Sequence, residues 1–332
     1  MAVEHPRENC VLSVGYLTSR REPQWKWFLD SFNRECKGNY ENIQLLVCDF
    51  WSQAIPHENW TEADVAKRRD EFFKLCHTDH VKLFPPKPTP WAGPHRLTKN
   101  DYFHAAACRN TIVCYAQDGY VAFIDDLSVL IPGWLDCVLK AMNGGYIICG
   151  AYKKVLALVV EKGEVVYYRE HKAGLDSRYA MGLADRPVPL PGGAMYGCSL
   201  AMPVDAILDV NGWNEDADCC GVGSEDYLCG LLLEQRGWKI MYDIRMQTLE
   251  SEERHHWQKP MKRVIEKKEG DSQDASWALL NPVVGGKMLK FKNYFGEEGI
   301  AGLRQRVLAG EPFPIMTIPE HSFYSGIALK DL

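Results

Sequence analysis

Two places in the sequence set carboxylates side by side, Asp125-Asp126 and Glu225-Asp226. Adjacent acids just beyond a strand can hold a hard divalent cation, which prefers oxygen ligands and in turn grips phosphates. A carboxylate aimed at a hydroxyl can instead take its proton as a general base. Taken alone, Asp125-Asp126 also fits an ordinary Asp-rich turn. Acids in the first turn of a helix, as at Glu225-Asp226, are favoured by the helix dipole for stability alone. The loop running from Trp213 to Ser224 nonetheless carries an aromatic, two glycines and three further acids, more than capping requires.

Other residues with usable chemistry are spread along the chain. Arg20 and Arg21 follow the first apolar run and could meet phosphates. Arg109 and Asn110 sit mid-helix ahead of the central strand, where surface polarity alone would explain them. The Gly192-Gly193 pair lacks side chains, so a backbone there can approach a ligand closely. His255-His256 lies beyond a late strand and is a candidate pair of metal ligands.

The elements that must position these groups follow a β-α-β order. Strands are expected over 11–17 and 43–49, with a helix between them over 25–36 carrying Trp25, Phe28, Leu29 and Phe32 at helical spacing. Such a start predicts a parallel sheet with right-handed crossovers. Further helices are expected over 63–76 and 101–116. The run 119–124 is apolar on both faces, as in a strand buried inside a parallel sheet, and delivers Asp125-Asp126 at its carboxyl end. Open α/β sheets bind ligands there. Pro132-Gly133 then stops the apolar run. Later expectations are strands over 146–150, 197–202 and 239–244 and a hairpin joining 155–160 to 165–168. A long loop is expected over 169–195, with helices from Ser224, over 261–269 and over 299–308.

The 332 residues leave room for one large α/β domain plus an appendage. A net charge of −6 does not suggest a general nucleic-acid binder. Residues 258–310 are locally basic, with ten Lys and Arg against six Asp and Glu, which suits a solvated arm or a DNA contact. The twelve cysteines are scattered through apolar runs without a Cys-x-x-Cys, so neither a zinc site nor a disulfide framework is expected. Residues 1–9 lack the apolar core of a signal peptide, and no run nears the ~20 apolar residues that span a bilayer. A soluble chain in the reducing cytoplasm is the expectation.

Taken in order, the loop with Thr18-Ser19-Arg20-Arg21, the strand ending at Asp49, Arg109-Asn110, Asp125-Asp126, Gly192-Gly193, Trp213-Asn214-Glu215 and Glu225-Asp226 make a set. That set resembles the GT-A glycosyltransferases, most closely the family-2 type, over roughly 11–257. The resemblance implies a Rossmann-like, mostly parallel central sheet flanked by helices. It implies a nucleotide-binding half (10–135), an acceptor and catalytic half (136–257) and a C-terminal helical extension (258–332). The activity implied is transfer of a sugar from a nucleoside-diphosphate sugar, a UDP-sugar above all, to a hydroxyl of a saccharide or of a hydroxylated DNA base.

Residue by residue, the resemblance implies that Thr18, Arg20 and Asp49 contact the nucleoside and that Lys99 and Arg109 contact the base or diphosphate. Asp125 would face the ribose, and the loop at Gly192 and Gly193 would flank the donor sugar. Asp126, with His255 or His256, would hold Mn²⁺ or Mg²⁺. Asp226 would be the base, ionised at neutral pH near its helix N-terminus, with Trp213 and Glu225 at the acceptor. One base and no evident carboxylate nucleophile favour inversion. The family's Asp-x-Asp metal motif has Leu127 at its third position here, which leaves adjacent acids instead. A sugar-phosphate nucleotidyltransferase and a non-catalytic carbohydrate-binding protein are the alternatives. The first wants a Gly-rich, basic loop after the opening strand, which is missing; the second does not need the acid pairs. A dehydrogenase lacks its glycine fingerprint.

Overall fold

The computed structural model describes residues 12–55, 58–89, 104–215, 224–257, 283–284, 287–288 and 298–314. β1 (Leu12–Thr18), α1 (Trp25–Cys36) and β2 (Ile43–Asp49) form the opening β-α-β unit. In α1 the stripe Trp25, Phe28, Leu29 and Phe32 is buried, and Lys37 ends the helix in a left-handed cap. α2 (Glu62–Leu75) starts on a capping box between Thr61 and Asp64. β3 (Val81–Phe84), α3 (Ala105–Tyr115) and β4 (Tyr120–Asp125) complete the first half, in which β3-β2-β1-β4 run parallel.

The second half joins this sheet through β9 (Ser199–Pro203), antiparallel to β4. Beyond it lie β6 (Ile147–Glu161), β10 (Ile240–Ser251) and β5 (Ser128–Leu130), in the order β4-β9-β6-β10-β5, with β10 parallel to β6. β7 (Glu164–Leu175) pairs with β6, and β8 (Val188–Pro189) with β10. The result is a mixed α/β fold with helices on both faces of a central sheet, as the sequence implied. Every strand residue of β1 and β2 is buried, and the polar side chains among them are paired, Gln44 donating to Ser13 Oγ at 2.8 Å.

Three segments differ from expectation. α4 (Trp134–Gly144) follows Pro132-Gly133 directly, so the dipeptide that ends β5 is also the entry to a helix, with Gly133 at φ +93°. The hairpin is far longer than read: β7 runs to Leu175, into the stretch expected to be loop. β10 likewise continues past Ile244 to Ser251, beside α7 (Glu252–Trp257).

α5 (Val204–Asp209) follows β9 directly and α6 (Ser224–Gln235) starts where expected, whereas the helix expected over 261–269 falls outside the described residues. α8 (Gly299–Leu308) does not hang free. Ile300, Leu303 and Val307 enter the core that covers α3, and Arg304 donates to the Ala116 carbonyl at 2.8 Å and to Asp118.

Candidate active site

Parallel pairing brings three strand ends to one edge: Leu17 is opposite Asp125, and Thr18 opposite Asp49. The chain leaves β4 through Asp125, Asp126 and Leu127, and Leu127 adopts φ +61° while wholly buried. A left-handed non-glycine residue here costs of order 1–3 kcal/mol and marks a turn held by its surroundings. The apolar third position is therefore the buried pivot that turns both acids toward the sheet edge.

Arg109 ties the two acid pairs together. Its guanidinium, buried beneath the edge, lies 3.3 Å from Asp125, 3.1 Å from Glu225 and 2.9 Å from Asp226. The carboxylates come from β4 and from the first turn of α6, a hundred residues apart in sequence. Of the four acids, Asp125 is the most open, with 36% of its side chain exposed; Glu225 and Asp226 are nearly enclosed. The ring of Trp213 supports Arg109 from below, its centroid 5.0 Å from the guanidinium carbon, and meets Phe123 edge-on.

Asp226 accepts a 2.7 Å hydrogen bond from the backbone N–H of Gly197. A Cβ on Gly197 would run into the Arg109 guanidinium and the Asp226 carboxylate, so a glycine is required by close approach. Burial pushes the Asp226 carboxyl up to about 7; Arg109 pulls it down less than burial raises it, and Glu225 and Asp125 add to the rise. This corrects the expectation of an acid kept ionised by its helix. Desolvation outweighs both Arg109 and the Gly197 N–H at this enclosed site.

Asp126 turns away from this cluster. Thr18 Oγ1 donates to it at 2.8 Å, and Arg20 Nε lies 3.0 and 2.9 Å from its two oxygens. Thr18 and Arg20, expected at the nucleoside, thus hold the second acid of the pair.

Asp49 is fully buried, and Arg68 of α2 takes both its oxygens at 2.6 and 2.8 Å while donating to the carbonyls of Arg20 and Arg21. The role of Asp49 here is to fasten the Arg20-Arg21 loop, so a nucleoside contact through its carboxylate is not available in this arrangement.

Two further expectations are corrected. Trp213 has no exposed surface and Arg109 almost none, so neither meets acceptor or diphosphate directly; they build the floor on which the acids stand. Gly192 is small for packing: a Cβ there would strike the Gly230 carbonyl of α6, and one on Gly193 would press the Tyr227 ring. Lys99 lies outside the described residues, as do the side chains of His255 and His256 within α7.

Residues that sequence reasoning missed include Gly197, Arg68 and the pair Asp176–Arg178. Arg178 binds Asp176 at 2.7 Å, donates to the carbonyls of Gly150 and Ala194, and stacks on Tyr196 at 4.1 Å. It pins the segment that presents Gly197. Arg68 alone left a signal, since it shares the buried i, i+4 stripe of α2 with Phe72.

No family model matches the chain, and no curated protein matches it either. Solved structures with a similar course include TarS of S. aureus, residues 1–349, at 10% identity and a TM-score of 0.45, covering 72% of this chain and 60% of that one. The same fragment in complex with UDP-GlcNAc gives 9% identity and a TM-score of 0.44, covering 73% and 58%. The chain therefore spans less than two thirds of the length of these structures.

Adjacent carboxylates offer the hard oxygen donors that Mn²⁺ or Mg²⁺ takes. Among the described residues no three acidic, histidine or cysteine side chains gather into a complete protein cage. A cation with one or two carboxylates and the remaining ligands from diphosphate and water fits this donor set. At Asp126 it would share the carboxylate with Arg20, whereas Asp125 is the more open oxygen donor.

Proposed function

We propose that the chain is a glycosyltransferase moving a sugar from a nucleoside-diphosphate sugar, preferentially a UDP-sugar, to an acceptor hydroxyl with inversion. The observation that carries this reading is the meeting of Asp125, Glu225 and Asp226 on Arg109 at the carboxyl edge of the sheet, with Asp126 held next in the chain by Thr18 and Arg20. Two acid pairs with separate duties need to share one cleft for such a transfer.

In this reading Asp226 takes the acceptor proton as the new bond to the sugar's anomeric carbon forms and the diphosphate leaves with the electron pair of the broken C–O bond. A proton affinity near 7 suits a base working at neutral pH better than that of an ordinary carboxylate. Arg109 keeps the acid in place, and the Gly197 N–H fixes its second oxygen. Asp125 and Asp126 would hold Mn²⁺ or Mg²⁺, which when bound offsets the charge growing on the leaving diphosphate.

The acceptor we assign is a saccharide. A net charge of −6 does not favour the alternative acceptor, a hydroxylated DNA base. No helix among the described residues is long and apolar enough to cross a membrane. The test is release of nucleoside diphosphate from a panel of diphosphate sugars, in the presence of mixed saccharides, by wild type and by Asp226→Asn. Turnover by the wild type and its loss in the variant are expected; an active variant removes the proposed base.

A further inference from the structure

Away from the acid cluster, a groove enclosing about 590 Å³ lies between β7, the end of β10 and the segment after Leu175. Tyr168, Tyr179, Lys153, Glu170, His171 and Gln247 supply its chemistry. Its size suits a small molecule or a few sugar rings. The lining combines apolar ring surface with an amide, a carboxylate, ammonium groups and an imidazole. Lys153 and Glu170 pair at 2.6 Å, and the Lys153 ammonium also sits over the Tyr168 ring at 4.9 Å. Nδ1 of His171 is enclosed without a hydrogen-bond partner among the described residues.

A lining that carries both signs of charge does not make the one-signed field a phosphate backbone wants. Rings beside mixed donors and acceptors match a pyranose, which has an apolar C–H face and a rim of hydroxyls.

The groove and the base share one stretch of chain, reached from opposite faces of β6. Successive strand residues face opposite ways, so Lys153 lines the groove while Tyr152 packs beside Tyr196. From Tyr179 the segment returns to Tyr196, whose hydroxyl lies 3.3 Å from Ser177 Oγ, and the next residue is Gly197 on Asp226. The Asp176–Arg178 pair holds this whole segment to the sheet.

We propose that the groove is a saccharide-binding subsite set apart from the acid cluster, an assignment of ligand class that rests on the glycosyltransferase reading. The test titrates chitohexaose, maltohexaose and cellohexaose into the full chain by calorimetry, with saturation-transfer NMR to map the bound face. At least one should bind. Tyr179→Ala should weaken it about tenfold, as loss of ~1.4 kcal/mol of stacking would, while Tyr179→Phe keeps it. Tyr168→Ala supplies a second variant. Binding of none of the three, or binding unchanged in both alanine variants, overturns the subsite.

Nucleoside-diphosphate sugars are titrated in parallel. Saccharide binding that depends on Tyr179, without any diphosphate-sugar binding, keeps the carbohydrate site and removes the transferase reading. Diphosphate-sugar binding without saccharide binding removes the subsite alone.

Discussion

Asp226 is where burial and charge contend most directly. Its carboxyl is enclosed, touches Arg109 and the Gly197 N–H, and has two acidic neighbours. Because its folded proton affinity lies near 7, above the unfolded value of 3.8, activity that needs the free base should rise with pH through about 7. The linkage has a definite sign. The stability contributed by this group is full below about pH 4 and is lost as pH rises through about 7. Asp226→Asn should therefore stabilise the chain by about 1–3 kcal/mol more at pH 8 than at pH 5, read from urea melts at both values.

Arg68 gives the opposite case. Replacing it with Met strands Asp49 in a fully buried position, and a loss of about 3–5 kcal/mol is expected in the same melts. Thiols such as Cys149, pushed up to about 12 by burial, should stay inert to alkylation in the folded chain at neutral pH.

At the scale of elements, two close backbone approaches set the site. Gly192 lies against the Gly230 carbonyl of α6, so Gly192→Ala should destabilise by about 1–3 kcal/mol through overpacking. Gly197→Ala would push on Arg109 and Asp226 instead, and transfer should fall at least about tenfold while the melting midpoint moves less than for Gly192→Ala. Much of this layer was legible in the sequence. The α1 stripe was readable from its helical spacing, and β1 and β2 from short, mostly apolar runs on either side of it.

α4 was not legible, since Pro132-Gly133 punctuates a chain equally well before a helix as after a strand. The long β6–β7 hairpin was missed because β7 is largely exposed along most of its length and carries polar residues with no clean alternation. Within the site, residue types were readable but partners were not. Thr18 and Asp126 are 108 positions apart, and the burial of Trp213 and Arg109 follows from packing that spacing does not reveal.

For the whole molecule, the sheet divides labour at β4. One side is a parallel β-α-β half that ends in Thr18, Asp49 and Asp125; the other brings α6, Gly197 and the groove along β7. The core packed on α3 continues through α8, so the two halves and the late helix share buried contacts at the level of side chains.

A ligand bridging the halves at the acid cluster should stabilise all of them together, which makes donor binding the most direct probe of the account. The decisive measurement is calorimetric titration of nucleoside-diphosphate sugars into wild type, Asp126→Ala and Asp226→Asn, with and without Mn²⁺. Saturable binding of at least one UDP-sugar by the wild type, strengthened by Mn²⁺, is expected. Binding should be weakened at least about tenfold in Asp126→Ala and retained in Asp226→Asn. Heats indistinguishable from dilution for every diphosphate sugar, or binding indifferent to Asp126, would contradict it.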